Sequence, residues 1–383
     1  MTAIATDNVL DRPIRVGLVG FGNWALHGHV RVLDLLPGYE LSALYSQRAS
    51  AAAEGAQKYG FRYVVDSLDV LVNHPEVDLV VVLTTAPQHE DAVRAAIAAG
   101  KDVYCEWPLT INARLARELA AAADAKSVRH VVGLQRRTAP HNRYLRDLIS
   151  QGFVGKLRSV RMHVSMNYFQ ALRSKALRWT APPENFSSVI AIYAGHFVDM
   201  LLSAVGWPHE VSALLINQFA NVTIQDTGEV IPTTTPDQLV LTGRLANAAV
   251  LTVHIEGGKR NGSGVQIDIT GDAGDVRITN ASAFGGVGDD YQMSGAHGDN
   301  LPMASLPVPE HYDSLPPSDL PSAVLELAHL YTAFAHDVAH GTHTAPTFAD
   351  AVRMHDLIEA AEHSSAYGAR VCTDAPTSAG SAT

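Results

Sequence analysis

The sequence predicts an α/β protein in two parts: an N-terminal doubly wound parallel sheet, then an α+β region with an open, mostly antiparallel sheet. Short apolar strands alternate with helical patterns from residue 14 to about residue 134, which is typical of parallel strands joined by helical crossovers. A glycine-rich turn directly follows the first strand. Beyond residue 157 the strands are longer, alternate apolar and polar residues and have short separations, which favours antiparallel pairing because parallel neighbours need long crossovers.

The glycine-rich turn carries the first prediction of function. The apolar strand Ile14–Val19 runs directly into Gly20-x-Gly22-x-x-Ala25, and a helical pattern follows to about residue 36. Gly20 permits a tight turn, Gly22 lacks the Cβ that would block a pyrophosphate, and Ala25 lets the helix pack closely on the strand. The free N–H groups of the helix N-terminus favour a diphosphate. The sequence therefore predicts a dinucleotide-binding turn, whose cofactor contacts are Gly20, Gly22, Asn23 and Trp24.

The end of the second strand bears on the choice of dinucleotide. An NAD site usually has Asp or Glu here to accept the ribose 2′-hydroxyl, whereas an arginine accommodates the 2′-phosphate of NADP. This strand ends in Ser46-Gln47-Arg48, and no carboxylate lies between residues 41 and 53. Ser46 can hydrogen-bond a phosphate and Arg48 can neutralise it; alternatively, Arg48 only begins the next helix on a solvated face. We predict NADP as the cofactor, with NAD as the alternative.

The remaining patterns divide the chain. In the first part, strands are predicted at 14–19, 41–45, 61–65, 78–83, 102–105 and 129–134, with helices clearest at 25–36, 88–99 and 111–125. In the second part, strands are predicted at 157–164, 210–218, 237–245, 248–255, 264–270 and 275–279, helices at 140–151, 190–205, 320–340 and 348–367, and irregular loop at 284–317. The predicted units are an N-terminal tail (1–12), a dinucleotide-binding domain (13–136), a substrate-binding and oligomerisation domain (137–373) whose C-terminal helices are candidates to pack back on the first, and a flexible tail (374–383).

Composition and charge restrict the class of protein. The 383 residues, 47% apolar and 17% charged, describe a globular protein long enough for two domains. A formal net charge of −11 argues against a nucleic-acid partner. No apolar run approaches the roughly 20 residues that span a bilayer, and the first dozen residues lack the apolar core of a signal peptide. Cys105 and Cys372 are too few for a disulfide scaffold or a structural zinc site, so we expect no metal, no membrane and a cytoplasmic location.

Three further strands end in polar residues, which we expect at the edge of the sheet where doubly wound folds bind ligands. Strand four ends at Thr84, and His89 at the following helix start either caps that helix or contacts the nicotinamide ribose. Strand five ends at Glu106, whose burial requires partners such as ribose hydroxyls. Two adjacent arginines after strand six cannot both face the cleft. The predicted cofactor contacts at this edge are Thr84, Thr85, Pro87, His89, Glu106, Trp107, Gln135 and Arg137.

Together these motifs resemble the glucose–fructose oxidoreductase / inositol dehydrogenase / MocA family over nearly the whole chain. The resemblance implies a Rossmann domain followed by an open sheet, oxidation of a sugar or polyol hydroxyl, and a homodimer or homotetramer built through that sheet. Within the family the chain is similar to the yeast galactose-repressor branch, which binds a dinucleotide but acts by binding an activator protein. The motifs that carry the resemblance are Gly20-x-Gly22-x-x-Ala25, Thr85-x-Pro87, Glu106-Trp107-Pro108-Leu109, Gln135-Arg136-Arg137, Gly152-x-x-Gly155, Gly195-His196-x-x-Asp199 and Asp350-Ala351-x-Arg353.

The chain departs from the family at the proton-transfer residues. The resemblance implies Glu-Lys-Pro where this chain has Glu106-Trp107-Pro108, and an Asp four residues before the histidine where it has Ile192. Because tryptophan cannot transfer a proton, we predict that His196 is the general acid–base group, alone or with Tyr193. The alternative is that His196 is a helix residue satisfied by a backbone carbonyl. Asp199, one helical turn along, is predicted to orient it and to face the substrate.

An irregular segment at residues 167–179 is the candidate substrate site. Sugar sites combine aromatic platforms with planar hydrogen-bonding groups, and an acidic sugar also needs a cation. A solvated basic loop is the alternative. The predicted substrate contacts are Tyr168, Arg173, Lys175, Arg178 and Trp179, together with His196 and Asp199.

Three functions remain open from the sequence. The first is an NADP-dependent oxidoreductase that transfers a hydride between the nicotinamide and a small-molecule sugar, glycoside or polyol. The second is a non-catalytic, dinucleotide-binding sensor or regulator, suggested by the missing lysine. The third is reduction of a C=N bond, where an already protonated iminium lessens the need for an acid. The complete glycine motif and the acidic net charge favour the first.

Overall fold

The computed structural model of the chain describes residues 10–262, 264–285 and 290–373. The predicted tail 374–383 and the first nine residues of the predicted tail 1–12 lie outside the described residues. Within the described ranges, two large sheets dominate: a six-stranded sheet formed early in the chain and a nine-stranded sheet formed later.

The first sheet has the doubly wound parallel form that the sequence predicts. Its strands are β1 (Ile14–Val19), β2 (Tyr39–Tyr45), β3 (Tyr63–Val64), β4 (Leu79–Val82), β5 (Asp102–Cys105) and β6 (His130–Val132). The order is β3-β2-β1-β4-β5-β6 and every pair is parallel, so the winding direction reverses between β1 and β4. The central strand β4 is buried throughout, as in a sheet covered by helices on both faces.

Helical crossovers connect these strands. They are α1 (Val30–Leu35), α2 (Ala49–Tyr59), α3 (Leu68–Val72), α4 (His89–Ala98) and α5 (Ala113–Lys126). A wider, π-helical turn at Ala25–His29 precedes α1, so the helix predicted at 25–36 is confirmed in extent but is not uniform. The predicted helices 88–99 and 111–125 are confirmed within two residues.

The later strands form one large sheet and one small one. The strands are β7 (Leu157–Ser165), β8 (Leu172–Arg173), β9 (Pro208–Ile216), β10 (Asn221–Ile224), β11 (Val230–Pro232), β12 (Gln238–Leu245), β13 (Val250–Glu256), β14 (Gly264–Gly271), β15 (Gly274–Asn280), β16 (Gln292–His297), β17 (Ala304–Ser305) and β18 (Val371–Cys372). The large sheet has the order β17-β16-β15-β14-β7-β13-β12-β9-β18, and the small sheet has the order β11-β10-β8.

The large sheet corrects two predictions. β7 and β13 pair in parallel, with Val160 opposite Leu251, because the helix and strands between them in the chain supply the long crossover that parallel neighbours need. The segment 284–317, predicted as irregular loop, contains β16 and β17, which extend one edge of the sheet. Its Gly, Pro and Asp content conceals these short edge strands. The other neighbouring pairs of the large sheet are antiparallel, as predicted.

Four further helices complete the fold: α6 (Pro140–Ser150), α7 (Gly195–Val205), α8 (Ser322–His340) and α9 (Phe348–Tyr367). Apolar residues of α7 and α9 join those of the large sheet in one core, for example Phe197 and Leu357 with Val253. α8 packs instead on the first sheet, and its Tyr331 shares a second core with Leu18. The last two helices therefore place C-terminal residues against both sheets.

One helical stretch, Pro183–Val205, is long and apolar enough to cross a membrane by length and composition, although the sequence analysis expected no such run. In the structure 72% of its most apolar window is buried inside the protein. A mostly buried apolar helix is typical of a core helix, and the apolar residues of α7 share one core with those of the large sheet and α9.

The outer face of the large sheet carries an apolar patch. Leu214 and Ile216 on β9, Val240 on β12 and Val250 on β13 are all exposed, and Val240 lies directly opposite Leu214. Exposed apolar side chains grouped on one sheet face are typical of an interaction surface.

Buried histidines make the stability of this fold sensitive to acid. Burial lowers the pKa of His141 to about 3, of His329 to about 4 and of His355 to about 3. In the unfolded chain these rings take up a proton near pH 6.5. Each therefore contributes stability that is present above pH 6.5 and is lost as the pH falls toward the folded-state pKa, by about 1.4 kcal/mol per pH unit.

We expect the free energy of unfolding, measured by urea titration, to fall between pH 6.5 and pH 4.5. His355→Leu removes one of the titrating rings from a site where neither nitrogen has a hydrogen-bond partner among the described residues. In the variant, the free energy of unfolding should therefore fall less steeply with decreasing pH, by about 1.4 kcal/mol per pH unit. An identical pH dependence in the parent and the variant would contradict this account of His355.

Candidate functional site

The turn after β1 has the geometry that its glycines predict. Gly20 has φ = 96°, in the left-handed region, and its N–H donates to the Tyr45 carbonyl (2.9 Å), which holds the turn against the end of β2. A Cβ on Gly22 would meet no atom within 4 Å, so a ligand can approach the backbone there. Asn23 is exposed at the start of the helical turn. These residues fit a pyrophosphate.

A pocket of about 350 Å³ lies beside this turn, at the ends of β2 and β3. Ser46 and Gln47 line it, as does Asp66, a carboxylate that the sequence analysis did not identify. The next helix, α2, has no side-chain cap, so its first N–H groups are available to an anion. Arg48 donates to the Phe21 carbonyl (2.7 Å) and so lies at the glycine-rich turn.

Backbone contacts fix the residues after β4. Pro87 lies in a short 3₁₀ turn that Thr85 begins. The buried ring of His89 has one nitrogen 2.9 Å from the Thr84 carbonyl and the other 2.9 Å from the Pro108 carbonyl. Both nitrogens are thus used inside the protein, and the structure gives His89 a different role from the expected ribose contact: it ties β4 to the loop after β5. The Thr84 hydroxyl is buried without a partner in the described residues.

Glu106, directly after β5, is the centre of the site. Its Oε1 accepts hydrogen bonds from His29 Nε2 (2.8 Å), the Tyr104 hydroxyl (2.8 Å) and the Trp24 indole N–H (3.2 Å). Its Oε2 is contacted by the backbone N–H of Trp107 at 3.3 Å, and 11% of the side chain is exposed. Burial alone would raise the pKa of Glu106, but the hydrogen bonds from His29 and Tyr104 outweigh it and leave the pKa below its ordinary value. The carboxylate is therefore ionised, with Oε2 the less satisfied oxygen.

The side chains behind Glu106 come from distant parts of the chain. His29 is fully buried, and its Nδ1 lies 2.8 Å from the hydroxyl of Tyr331 on α8. Tyr331 stacks on Tyr104 with ring centroids 5.2 Å apart, and its carbonyl accepts a hydrogen bond from the Tyr39 hydroxyl (2.6 Å). None of these side chains behind Glu106 was predicted from the sequence. Strand alternation could have found Tyr104, which is two residues before Glu106 and so on the same face.

Trp107 occupies the place of the family's lysine and is locked there. Its indole N–H donates to the Ala191 carbonyl (2.8 Å), and its ring packs against His355 with centroids 4.9 Å apart. A Cβ on Gly195 would overlap the indole, so α7 approaches Trp107 closely. The indole is therefore committed to the core rather than to the predicted cofactor contact. Beside this edge, Gln135 Oε1 is buried without a partner in the described residues, as a ligand-facing amide would be.

His196, on the first turn of α7, is partly exposed, yet its Nδ1 is enclosed and has no partner within the described part of the chain. Burial and then the charge of Arg136 lower the pKa of His196 to about 4. Near pH 7 the ring is therefore neutral, so it can accept a proton but has none to donate as an imidazolium. Tyr193 packs edge-on against Phe169 and Phe284, and burial raises its pKa.

The two arginines after β6 are both committed to interior ion pairs. Arg137 pairs with the fully buried Asp199 and with Asp350 (2.7 Å), whereas Arg136 lies 3.3 Å from Glu326. This corrects two predictions: Arg137 is not free for the cofactor and Asp199 is not free for the substrate. Each compensates the other's buried charge, which would otherwise cost several kcal/mol.

The predicted substrate segment 167–179 satisfies most of its own cations. Arg173 is buried and donates to the Thr180 hydroxyl (2.7 Å), and Arg178 forms two hydrogen bonds with Glu229 (2.6 and 2.8 Å). Arg173 is therefore a structural residue, and Arg178 is neutralised at the surface. The remaining predicted substrate residues, Tyr168, Lys175 and Trp179, are partly or fully exposed.

The arrangement at this edge fits a dinucleotide. The pocket at Ser46, the open space above Gly22 and the ionised Glu106 follow one another across the ends of the parallel strands. In the described residues, no group of three or more His, Cys, Asp or Glu side chains is placed to hold a metal ion.

Two family models match the chain. Residues 14–134 match the oxidoreductase family with an NAD-binding Rossmann fold, GFO/IDH/MocA, and residues 140–280 match the C-terminal domain of Gal80p. Residues 14–134 therefore match the NAD-binding Rossmann domain of the GFO/IDH/MocA oxidoreductase family. The match to the oxidoreductase family covers the cofactor-binding part of the site, from Gly20 to Glu106. His196 lies in the segment that matches the C-terminal domain of Gal80p.

Relatives of this chain include both a regulator and dehydrogenases. The chain is 24% identical over 329 residues to the galactose/lactose metabolism regulatory protein GAL80 of Saccharomyces cerevisiae (79% of this chain, 76% of that protein). It is 29% identical over 220 residues to the trans-1,2-dihydrobenzene-1,2-diol dehydrogenase of Mus musculus (57% of this chain, 64% of that protein). A levoglucosan dehydrogenase in complex with NADH and L-sorbose has a similar fold, with a TM-score of 0.83 at 20% identity over 94% of this chain and 99% of that one.

Proposed function

We propose that this protein is an NADP-dependent oxidoreductase that transfers a hydride between the nicotinamide and a sugar, glycoside or polyol. The observation that carries the proposal is the open approach to the backbone at Gly22, together with the uncapped N-terminus of α2 and the Gln135 amide oxygen, which has no partner in the described residues. The dehydrogenase relatives support the reaction class, and the levoglucosan dehydrogenase supports a sugar-like substrate.

The electrostatics beside the pocket support NADP over NAD. Ser46 offers a hydroxyl, Arg48 offers a charge at the adjoining turn, and the uncapped N-terminus of α2 offers backbone N–H groups to a 2′-phosphate. Asp66 on the pocket wall opposes this preference by like charge. We propose that the three favourable groups outweigh the single carboxylate.

The proton chemistry of the proposed reaction depends on His196. Because its pKa is lowered to about 4, the neutral ring accepts the proton of a substrate hydroxyl at its accessible edge, which favours the direction from alcohol to carbonyl. When bound, the oxidised nicotinamide supplies the hydride acceptor. The indole of Trp107, held by the Ala191 carbonyl, excludes water from the place of the missing lysine but transfers no proton.

A regulator without catalysis is the second candidate. It is favoured by Trp107, which fills the lysine's place, and by the 329-residue alignment with GAL80, which is longer than the alignment with the mouse dehydrogenase. In that case the site binds the dinucleotide as a signal, and the exposed segment around Trp179 is free to contact another molecule.

The first prediction concerns the cofactor. We expect calorimetric titration to show tighter binding of NADP(H) than of NAD(H), and Arg48→Asp to reverse that order by removing a charge-assisted hydrogen bond worth about 1.5–3 kcal/mol. Asp66→Asn should strengthen the NADP preference. Gly22→Ala is the matched control: its Cβ meets no protein atom within 4 Å, so it should weaken both dinucleotides without lowering protein stability. Tighter NAD(H) binding by the parent would contradict the prediction.

The second prediction concerns catalysis. His196→Ala should reduce turnover by about 10²–10⁴-fold, the usual contribution of general acid–base catalysis, and should leave NADP affinity nearly unchanged. Oxidation by the parent should keep a constant kcat/KM down to about pH 5, because His196 stays neutral there. The assay uses a panel of sugars, polyols, glycosides and cyclic imines. Turnover unaffected by the substitution would refute the role of His196; bound NADP without turnover on the whole panel would favour the regulator, and turnover of imines alone would indicate a C=N reductase.

The third prediction concerns assembly. We propose that the apolar patch of Leu214, Ile216, Val240 and Val250 forms the interface of a homodimer or larger homo-oligomer. Light scattering should show an oligomer at micromolar concentration, and Leu214→Arg should dissociate it. Val230→Arg, at an equally exposed valine on the small sheet, should not. A monomeric parent would contradict the proposal.

A further inference from the structure

The strand order decides which end of a bound dinucleotide Glu106 faces. The glycine-rich turn follows β1 in the middle of the first sheet, and the pocket at Ser46 lies on the β2 side of it. Glu106 follows β5, on the opposite side, beyond β4. Because the two halves of a dinucleotide extend in opposite directions from a pyrophosphate at the turn, adenosine in the pocket directs the nicotinamide half toward Glu106. The Trp24 indole also ties Glu106 directly to the turn (3.2 Å).

The Glu106 carboxylate carries a negative charge, and in the described residues no lysine or arginine side chain contacts it. Its Oε1 partners are an imidazole, a phenol and an indole. Both ring nitrogens of His29 are used in these contacts: Nε2 lies 2.8 Å from Glu106 Oε1, and Nδ1 lies 2.8 Å from the Tyr331 hydroxyl. Arg136 and Arg137, which follow the neighbouring strand β6, are paired with other carboxylates.

We propose that the hydrogen-bonded chain Tyr331–His29–Glu106 holds a fixed negative charge beside the nicotinamide and thereby makes the site bind the oxidised dinucleotide more tightly than the reduced one. The inference rests on the proposed dinucleotide binding. Glu106 is the residue that faces the cofactor, and His29 and Tyr331 are positioning residues that act through it.

The physical reason is a difference of one charge. The nicotinamide ring is cationic when oxidised and neutral when reduced, whereas the rest of the dinucleotide is unchanged. Two opposite unit charges several ångströms apart, at the effective dielectric of about 20 that applies near protein surfaces, attract strongly enough to change an affinity about tenfold or more. A purely structural role for Glu106 would weaken both forms equally and leave their affinity ratio unchanged.

The hydrogen-bonded chain Tyr331–His29–Glu106 also connects two distant parts of the protein. Tyr331 belongs to α8, 302 residues beyond His29, and it is buried in the same core as the first sheet. The C-terminal region thus supplies the outer end of the chain that orients Glu106. Loss of the Tyr331 hydroxyl leaves His29 Nδ1 without that partner inside the protein, where an unmade hydrogen bond is costly.

The test is the ratio of dissociation constants for the oxidised and reduced forms. NADP⁺, NADPH, NAD⁺ and NADH are titrated separately into the parent and into Glu106→Gln, an isostere whose amide oxygen still accepts from His29 and Tyr104. For whichever dinucleotide pair binds, we expect Kd(oxidised)/Kd(reduced) to rise about tenfold in the variant, because the negative charge is removed. The readout requires no turnover.

Tyr331→Phe and Tyr39→Phe form a matched pair that tests the positioning residues. Both substitutions remove a buried phenol hydroxyl from the same aromatic cluster. Only the Tyr331 hydroxyl belongs to the hydrogen-bonded chain that leads to Glu106, because the Tyr39 hydroxyl donates to a backbone carbonyl. We expect the ratio to rise about threefold in Tyr331→Phe, the equivalent of one neutral hydrogen bond, and to stay at the parent value in Tyr39→Phe. This pair decides the question if Glu106→Gln does not fold.

Each other outcome overturns a defined part of the account. Equal ratios in the parent, Glu106→Gln and Tyr331→Phe overturn this inference and leave the proposed dinucleotide binding intact. Equal shifts in Tyr331→Phe and Tyr39→Phe also overturn it, since they indicate a general loss of packing. Failure of all four dinucleotides to bind the folded parent overturns the proposed function and this inference together.

Discussion

The buried carboxylate of Glu106 is the constraint on which much of the site depends. An ionised carboxylate out of water is costly unless donors surround it. Here donors come from the wide turn before α1 and from β5, and Tyr331 of α8 in turn contacts one of them, His29. Even the backbone nearby is restricted: a Cβ on Gly133 would lie 2.8 Å from Glu106 Oε2. Supplying these partners fixes α8 against the first sheet and brings the C-terminal region to the edge where the glycine-rich turn opens.

The replacement of lysine by Trp107 changes the chemistry of this edge without disturbing its architecture. The indole N–H donates to the Ala191 carbonyl, and the ring packs against His355. Helix α7 can approach the indole closely only because residue 195 is glycine. What remains for proton transfer is the neutral ring of His196. A site with a fixed anion and a weak base suits the oxidation of an alcohol better than the protonation of a carbonyl.

The sequence predicted the fold well, because local patterns determine it. The alternating strands and helices, the turn at Gly20 and most strand bounds require only neighbours in the chain. The errors arose where partners are distant or composition misleads: the parallel pairing of β7 with β13, and the strands β16 and β17 within a Gly- and Pro-rich segment. In the site, charges predicted to face ligands, such as those of Arg137 and Asp199, satisfy each other, and no local signal pairs His29 with Tyr331.

A crystal structure of the complex with oxidised dinucleotide tests the central claim most directly. The account predicts the adenosine half in the pocket at Ser46, the nicotinamide half on the side of Glu106, and the carboxylate still bonded to His29 through Oε1, with the Trp107 indole on the Ala191 carbonyl. A nicotinamide lying away from Glu106, or a carboxylate that has left His29 to pair with a cation, would contradict it.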